Sequence, residues 1–290
     1  MFNGALSALI TPFRDGVVDE RAFRELIEWQ IESGIDGIVP CGSTGESATL
    51  SHAEHEQVIR IAIQQARKRV PVLAGTGSNS TAEAIRLTTF AREAGADGAL
   101  LISPYYNKPT QEGIIKHYKM VASSVDLPIF VYNIPGRTGS NLTPETFARL
   151  CEIKNIVGVK EASGLMDQIS DVHRLCGDKF TILSGDDSLT LAIMALGGKG
   201  VIAVITNLMP RETHDLVAAA LAGDFTRARE IHYRMLPLMR ALFFETNPIP
   251  VKYAVSLTRK CSPEVRMPLT AITPASAEKL RVVMKELRLI

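Results

Sequence analysis

At 290 residues, with 46% hydrophobic and 22% charged side chains, the chain has ample material for a large packed core, and a disordered or linker-like protein is excluded. A formal charge of +1 removes the electrostatic case for a nucleic-acid or anionic-membrane partner and leaves a small molecule as the expected ligand. The opening MFNGALSALITPF lacks a basic n-region and a full apolar h-region with a cleavage site, and no apolar stretch reaches membrane-spanning length, so a cytoplasmic protein is expected.

In chain order, short apolar runs rich in β-branched residues fall at 5–10 (ALSALI), 37–40 (GIVP), 70–75 (VPVLAG), 98–103 (GALLIS), 128–133 (PIFVYN), 156–161 (IVGVKE), 180–185 (FTILSG) and 200–205 (GVIAVI). Amphipathic, charged segments of helical length separate them, among them 19–33, 51–68, 81–95 and 143–152. Polar residues stand at their N-cap positions and glycines near several of their ends, and Ser51-His52-Ala53-Glu54 has the form of a capping box. This alternation predicts βαβ units with parallel strands and helices outside. Eight units suit a closed barrel better than an open sheet, although a count of seven or nine is close. Beyond residue 207 the strand-like runs stop, and helices are predicted over 211–224, 225–243, 248–260 and 275–287. The expected architecture is an α/β protein: a (β/α)8 TIM barrel over residues 1–223, followed without a linker by a C-terminal helical extension over 224–290.

In such a barrel the chemistry gathers at the C-terminal ends of the strands, where the following loops surround one mouth. Those ends read CGSTGES, AGTGSNST, SPYYNKP, YNIPGRTGSN, VKEASG, LSGDDS and VITN. Gly42-Ser43-Thr44-Gly45-Glu46 offers hydroxyls and close backbone amides, either a carboxylate cradle or a simple turn; it lacks the lysine and spacing of a P-loop. Tyr132 ends one strand and is either a proton relay or an ordinary core aromatic. Arg137 follows in a Pro/Gly-constrained loop, as a surface arginine or as a guanidinium aimed at a carboxylate.

Lys160 ends the next strand, and period-2 alternation puts Gly158 on the same face, a small neighbour that leaves space for a long stem. If that face points inward, desolvation lowers the lysine pKa and raises the fraction of neutral amine able to attack a ketone; the alternative is a lysine snorkelling at a strand end. Asp186 and Asp187 have no further ligands at metal-binding spacing and read as a helix cap, so no metal is expected. Cys41, Cys151, Cys176 and Cys261 lie far apart, without CxxC or zinc-ligand spacing, and are expected as reduced core thiols; Cys41 alone sits near the mouth.

Taken together, GSTGES, SPYYNKP, YNIPGRTG, GVKEASG, LSGDD and NPIPVKYA resemble the dihydrodipicolinate synthase family in order and spacing, over essentially the whole chain. The resemblance implies a Schiff-base-forming lyase that joins pyruvate to L-aspartate 4-semialdehyde, giving 4-hydroxy-tetrahydrodipicolinate on the diaminopimelate and lysine biosynthesis route. It places the imine-forming lysine on Lys160, the catalytic tyrosine on Tyr132, and the hydroxyl relay on Thr44 and on Tyr106, the last contributed across a dimer interface. Ser43, where many members carry Thr, joins Thr44, Gly185 and Ile202 around pyruvate, and Arg137 receives the carboxylate of the aldehyde. N-acetylneuraminate lyases and other pyruvate-dependent sugar-acid aldolases share the GSTGE and lysine motifs but typically lack that arginine. The resemblance further implies no metal or organic cofactor, a homotetramer built as a dimer of dimers, and inhibition by L-lysine at Ser47, Ala48, His52, His55, Asn79, Glu83 and Tyr105.

Overall fold

Alternating side chains along short parallel strands decide what lies inside this protein and what lies between layers. The computed structural model describes residues 2–258 and 261–290. Its main sheet has eight strands: β1 (Gly4–Ala8), β2 (Gly37–Val39), β3 (Leu73–Gly75), β4 (Gly98–Ile102), β5 (Ile129–Asn133), β6 (Ile156–Glu161), β7 (Thr181–Ser184) and β8 (Gly200–Ala203). Every pairing is parallel, with Leu6 opposite Ile202, Ile102 opposite Tyr132, Tyr132 opposite Lys160 and Lys160 opposite Leu183. A bridge between Ile38 and Val72 joins β2 to the approach of β3 and closes the barrel.

One parity of each strand points inward. Leu6, Ala8, Val39, Leu73, Leu100, Phe130, Tyr132, Leu183 and Ile202 meet Phe2 in a single interior cluster, the filled barrel that this architecture requires. The other parity, with Ala5, Ile38, Leu101, Val131, Val159, Ile182 and Val201, packs against the helices.

The helices are α1 (Glu20–Glu32), α2 (His52–Ala66), α3 (Thr81–Ala94), α4 (Gln111–Ser124), α5 (Pro144–Leu150), α6 (Met166–Cys176), α7 (Thr190–Ala195), α8 (Pro210–Leu221), α9 (Phe225–Ala241), α10 (Ile249–Leu257) and α11 (Pro274–Glu286). Their ends follow from local chemistry. Asp19 caps α1 by accepting from the amide of Ala22, and Ser51 and Glu54 form the expected reciprocal box on α2. Gly95, at φ 96°, ends α3 in a left-handed conformation that suits glycine. The helix expected over 248–260 stops at Leu257, and Arg259 and Lys260 lie outside the described residues.

The C-terminal helices are seated on the barrel's flank. Ala228, Met235, Leu238, Val251, Val255, Leu280 and Met284 share one hydrophobic cluster with Phe23, Leu26 and Ile27 of α1 and Ile59 and Ala62 of α2. That contact brings the segment between α9 and α10, and the residues after α10, to the loop that follows β2. Among the described residues no helix is long and apolar enough to cross a membrane.

Candidate active site

The loop after β2 is held in a tight, strained turn. Cys41 and Glu46 have φ values of 58° and 54°, a region that residues with a Cβ seldom adopt. Gly45 N–H donates to the Gly42 carbonyl at 3.0 Å and Glu46 N–H to the Ser43 carbonyl at 3.2 Å, while the Thr11 hydroxyl donates to the Gly45 carbonyl at 2.7 Å. Among the described residues the Ser43 and Thr44 amides make no such bond, which leaves two adjacent donors at a strand end.

Glu46 anchors the loop through partners distant in sequence. Its carboxylate accepts from Lys252 Nζ at 2.6 Å and from the Arg266 amide at 3.0 Å. The Lys252 and Glu46 side chains are 0% and 1% exposed. Burial lowers the Lys252 pKa, and the Glu46 charge and hydrogen bond oppose that shift. The Phe13 ring carries Lys252 Nζ at 4.0 Å and the Arg266 guanidinium at 4.2 Å from its centre, so both cations rest on one aromatic ring. Arg266 also forks onto Glu54 at the head of α2, at 2.9 and 2.5 Å.

Lys160 lies inside the barrel mouth, 6% exposed, with Nζ 4.3 Å from the centre of the Tyr132 ring on the neighbouring strand. Desolvation brings its pKa down from 10.5 to about 8; buried Asp187 opposes the shift and Arg137 adds to it. The inward-facing, desolvated lysine expected from the strand pattern is therefore present. The source of its space differs from the expectation. A Cβ on Gly158 would collide with the Thr181 carbonyl oxygen and stand 2.6 Å from the Phe130 ring, so that glycine makes room for the neighbouring strand and an aromatic. The lysine stem instead runs past Gly185, where a Cβ would meet Lys160 Cγ at 3.1 Å and the Ala162 Cβ at 2.7 Å.

Burial pushes the Tyr132 phenol up to about 12, with Arg137 and a hydrogen bond to Ser43 pulling the other way, so the phenol keeps its proton at neutral pH. The hydroxyl against Tyr132 is thus that of Ser43. Thr44 is buried and its Oγ1 accepts from Asn247 Nδ2 at 3.0 Å. Arg137 sits in a single helical turn, Pro135–Thr138, exposed, with Nη2 donating to the Asn247 carbonyl at 3.0 Å. Gly185 borders the lysine stem, and Ile202 is fully buried in the barrel interior. Tyr106 stands apart: it is 89% exposed, at φ 69°, on the outer surface of the β4 loop.

A cavity of about 480 Å³ opens over this site, lined by Ser43, Tyr132, Arg137 and Asn247. Ser47, Ala48, His52, His55, Glu83 and Tyr105 line the same cavity, and Asn79 joins through its amide, which donates to the Tyr105 carbonyl at 3.2 Å. The seven residues expected to hold lysine are therefore neighbours of the barrel mouth within one chain. Glu83 is fixed by hydrogen bonds from Ser78 and by the His52 ring at 2.7 Å, and both hold its carboxyl below the usual range. Burial takes His55 down to about 4, aided by His52, and among the described residues its Nδ1 has no hydrogen-bond partner.

Asp186 and Asp187 correct the shared reading as a cap. Asp186 does cap, accepting from the Ser188 amide at 2.9 Å. Asp187 is buried and accepts from the amides of Val204 and Ile205 at 3.0 and 2.7 Å, tying the β7 loop to the β8 loop; burial raises it to about 6. Asn247, Lys252 and Arg266 were not singled out from the sequence, although Asn247 and Lys252 lie in NPIPVKYA. Their one available signal was a charged residue inside an otherwise apolar helix, Lys252 in α10. Among the described residues no group of three or more His, Cys, Asp or Glu could hold a metal ion.

The Dihydrodipicolinate synthetase family profile matches residues 1–287. A 4-hydroxy-tetrahydrodipicolinate synthase of Syntrophus aciditrophicus is 60% identical over 290 residues, covering 100% of both chains. The chloride-inhibited dihydrodipicolinate synthase of Acinetobacter baumannii, solved with pyruvate, superimposes with a TM-score of 0.98 at 44% identity over 100% of both chains. The enzyme of Cyanidioschyzon merolae, solved with lysine bound, gives 0.97 at 41% identity, over 100% of this chain and 99% of that one. Barrel, strand-end residues and full-length identity agree: the chain belongs to the dihydrodipicolinate synthetase family.

Proposed function

We propose that this chain is a 4-hydroxy-tetrahydrodipicolinate synthase that condenses pyruvate with L-aspartate 4-semialdehyde through an imine on Lys160. The observation that carries the reading is the desolvated Lys160 amine, brought to about 8 and facing Tyr132 at the barrel mouth. The neutral amine attacks the pyruvate ketone, and loss of water gives a protonated imine. That imine is an electron sink: it stabilises the carbanion formed when the pyruvate methyl loses a proton, and the resulting enamine attacks the aldehyde. The substrate's own amine then displaces Lys160 and closes the ring. The scheme draws on no metal and no organic cofactor, because the imine supplies the activation.

Tyr132, still protonated at neutral pH, is the central proton carrier, with the Ser43 hydroxyl against it and Thr44 as the further carrier that the family likeness suggests. The Ser43 and Thr44 amides are placed to take the pyruvate carboxylate as preorganised donors, with Gly185 and Ile202 shaping the pocket. Arg137 offers the second carboxylate a fork, which favours an aldehyde bearing one over a sugar acid. The exposure of Tyr106 supports a relay completed by a second subunit, and we read the assembly as a dimer of such dimers. The shared cavity supports L-lysine as a ligand beside the mouth; calorimetric titration with L-lysine that gives no heat removes this part of the reading.

Reductive trapping tests the whole. Borohydride added with pyruvate is expected to leave a reduced adduct on the peptide bearing Lys160, and K160A is expected to lose synthesis. An unmodified peptide in active enzyme, or an alanine variant of full activity, would falsify the proposal. Turnover compared between aspartate semialdehyde and a sugar-derived aldehyde separates the synthase from a sugar-acid lyase.

A further inference from the structure

Asn247 belongs to no strand end, yet it holds two groups of the site at once. It lies between α9 and α10, 6% exposed, on the cavity wall with Ser43, Tyr132 and Arg137. Its side-chain Nδ2 donates to Thr44 Oγ1 at 3.0 Å, and its main-chain carbonyl accepts from Arg137 Nη2 at 3.0 Å. An amide NH2 only donates, so the threonine oxygen is the acceptor in this contact. A threonine hydroxyl has a single proton. With a donor arriving from Asn247, that proton is directed elsewhere.

The other half of the same amide supports the reading. Among the described residues, buried Asn247 Oδ1 has no hydrogen-bond partner. Turning the amide over would satisfy that oxygen by accepting the Thr44 proton, and would withdraw the proton from any relay.

We propose that Asn247 is a positioning residue that fixes the direction of the Thr44 hydroxyl, so that Thr44 enters the proton relay as a donor. The inference rests on the synthase reading, in which Thr44 moves protons. It gives the C-terminal region a direct part in the chemistry. It also separates two effects by bond type: the Thr44 contact belongs to the side chain, whereas the Arg137 contact belongs to the backbone and survives substitution.

The test compares N247D and N247A with wild type in steady-state kinetics over a range of pH, with borohydride trapping of pyruvate on all three. An ionised aspartate can only accept, so it pulls the Thr44 proton toward itself. We expect N247D to lose about 100-fold in kcat at neutral pH and to recover part of this as the pH falls and the new carboxyl regains a proton to donate. The aldehyde KM should change by less than about twofold, because the backbone grip on Arg137 is intact. N247A should lose less, about tenfold, with the wild-type pH profile.

Wild-type kcat in N247D, or equal losses in both variants with one shared pH profile, overturns the inference while trapping in wild type leaves the synthase reading standing. Wild-type enzyme that pyruvate and borohydride do not label overturns both. Should N247D not fold, N247A decides: an undiminished kcat, or a loss carried by aldehyde KM, overturns the inference.

Discussion

At the scale of a residue, the proposed chemistry turns on one amine and on how burial sets its proton. Desolvation is the leading cause of the Lys160 shift to about 8, with Asp187 opposing it. At pH 7 such an amine is neutral roughly a tenth of the time, against roughly 0.03% for an unshifted lysine. In the proposed reaction the neutral form is the nucleophile, so adding protons switches that reaction off. The initial rate of reductive trapping is therefore expected to rise about tenfold per pH unit on the acid side and to level off above about 8. Quenched samples analysed by peptide mass give this profile directly, and a rate independent of pH below neutrality would contradict it. Tyr132, pushed up to about 12, stays a proton donor throughout that range.

At the scale of the element, the joint between the β2 loop and α10 is the place where packing and site meet. Replacing Lys252 by Met strands the Glu46 carboxylate in a site where both partners are at most 1% exposed. The expected loss is about 3–5 kcal/mol of folding stability, because an unpaired buried charge costs more than the pair contributes. The thermal midpoint should fall by on the order of 10 °C. The E46Q/K252M pair should regain much of this, and a double variant no more stable than K252M alone would show that the charge was not the cause.

This joint also marks where reading the chain stops. The strands were legible because β-branched runs carry their own periodicity, and the places of Lys160 and Tyr132 at the rim were legible because barrel strands put their ends at one mouth. Glu46, Asn247 and Arg266 were not, since their partners lie 206, 203 and 220 residues away and no local pattern announces such a contact. The space for the lysine stem was misassigned for the same reason. Alternation pointed to Gly158 on the same strand, and the room comes from Gly185, just past the end of β7.

At the scale of the whole molecule, a single chain gathers Lys160, Tyr132, Thr44 and Arg137 but leaves Tyr106 facing outward, 89% exposed. If that phenol serves a neighbour's site, Y106F and K160A are each poor enzymes alone and complement when mixed. A mixed dimer pairs an intact lysine with an intact tyrosine in one of its two sites, so an equal mixture is expected to recover about a quarter of wild-type activity. Assay after exchange of subunits, with sedimentation to confirm hybrids, reads this out. A mixture no better than the average of its parents means that each tyrosine works for its own chain.

Glu46 waits for partners that lie 206 and 220 residues further along the polypeptide. A copy still emerging from the ribosome therefore finishes its lysine strand long before the contacts that anchor the β2 loop can form. The turn at the barrel mouth is anchored only once the C-terminal helices have been made, so an unfinished chain lacks both the set turn and the burial that brings Lys160 down.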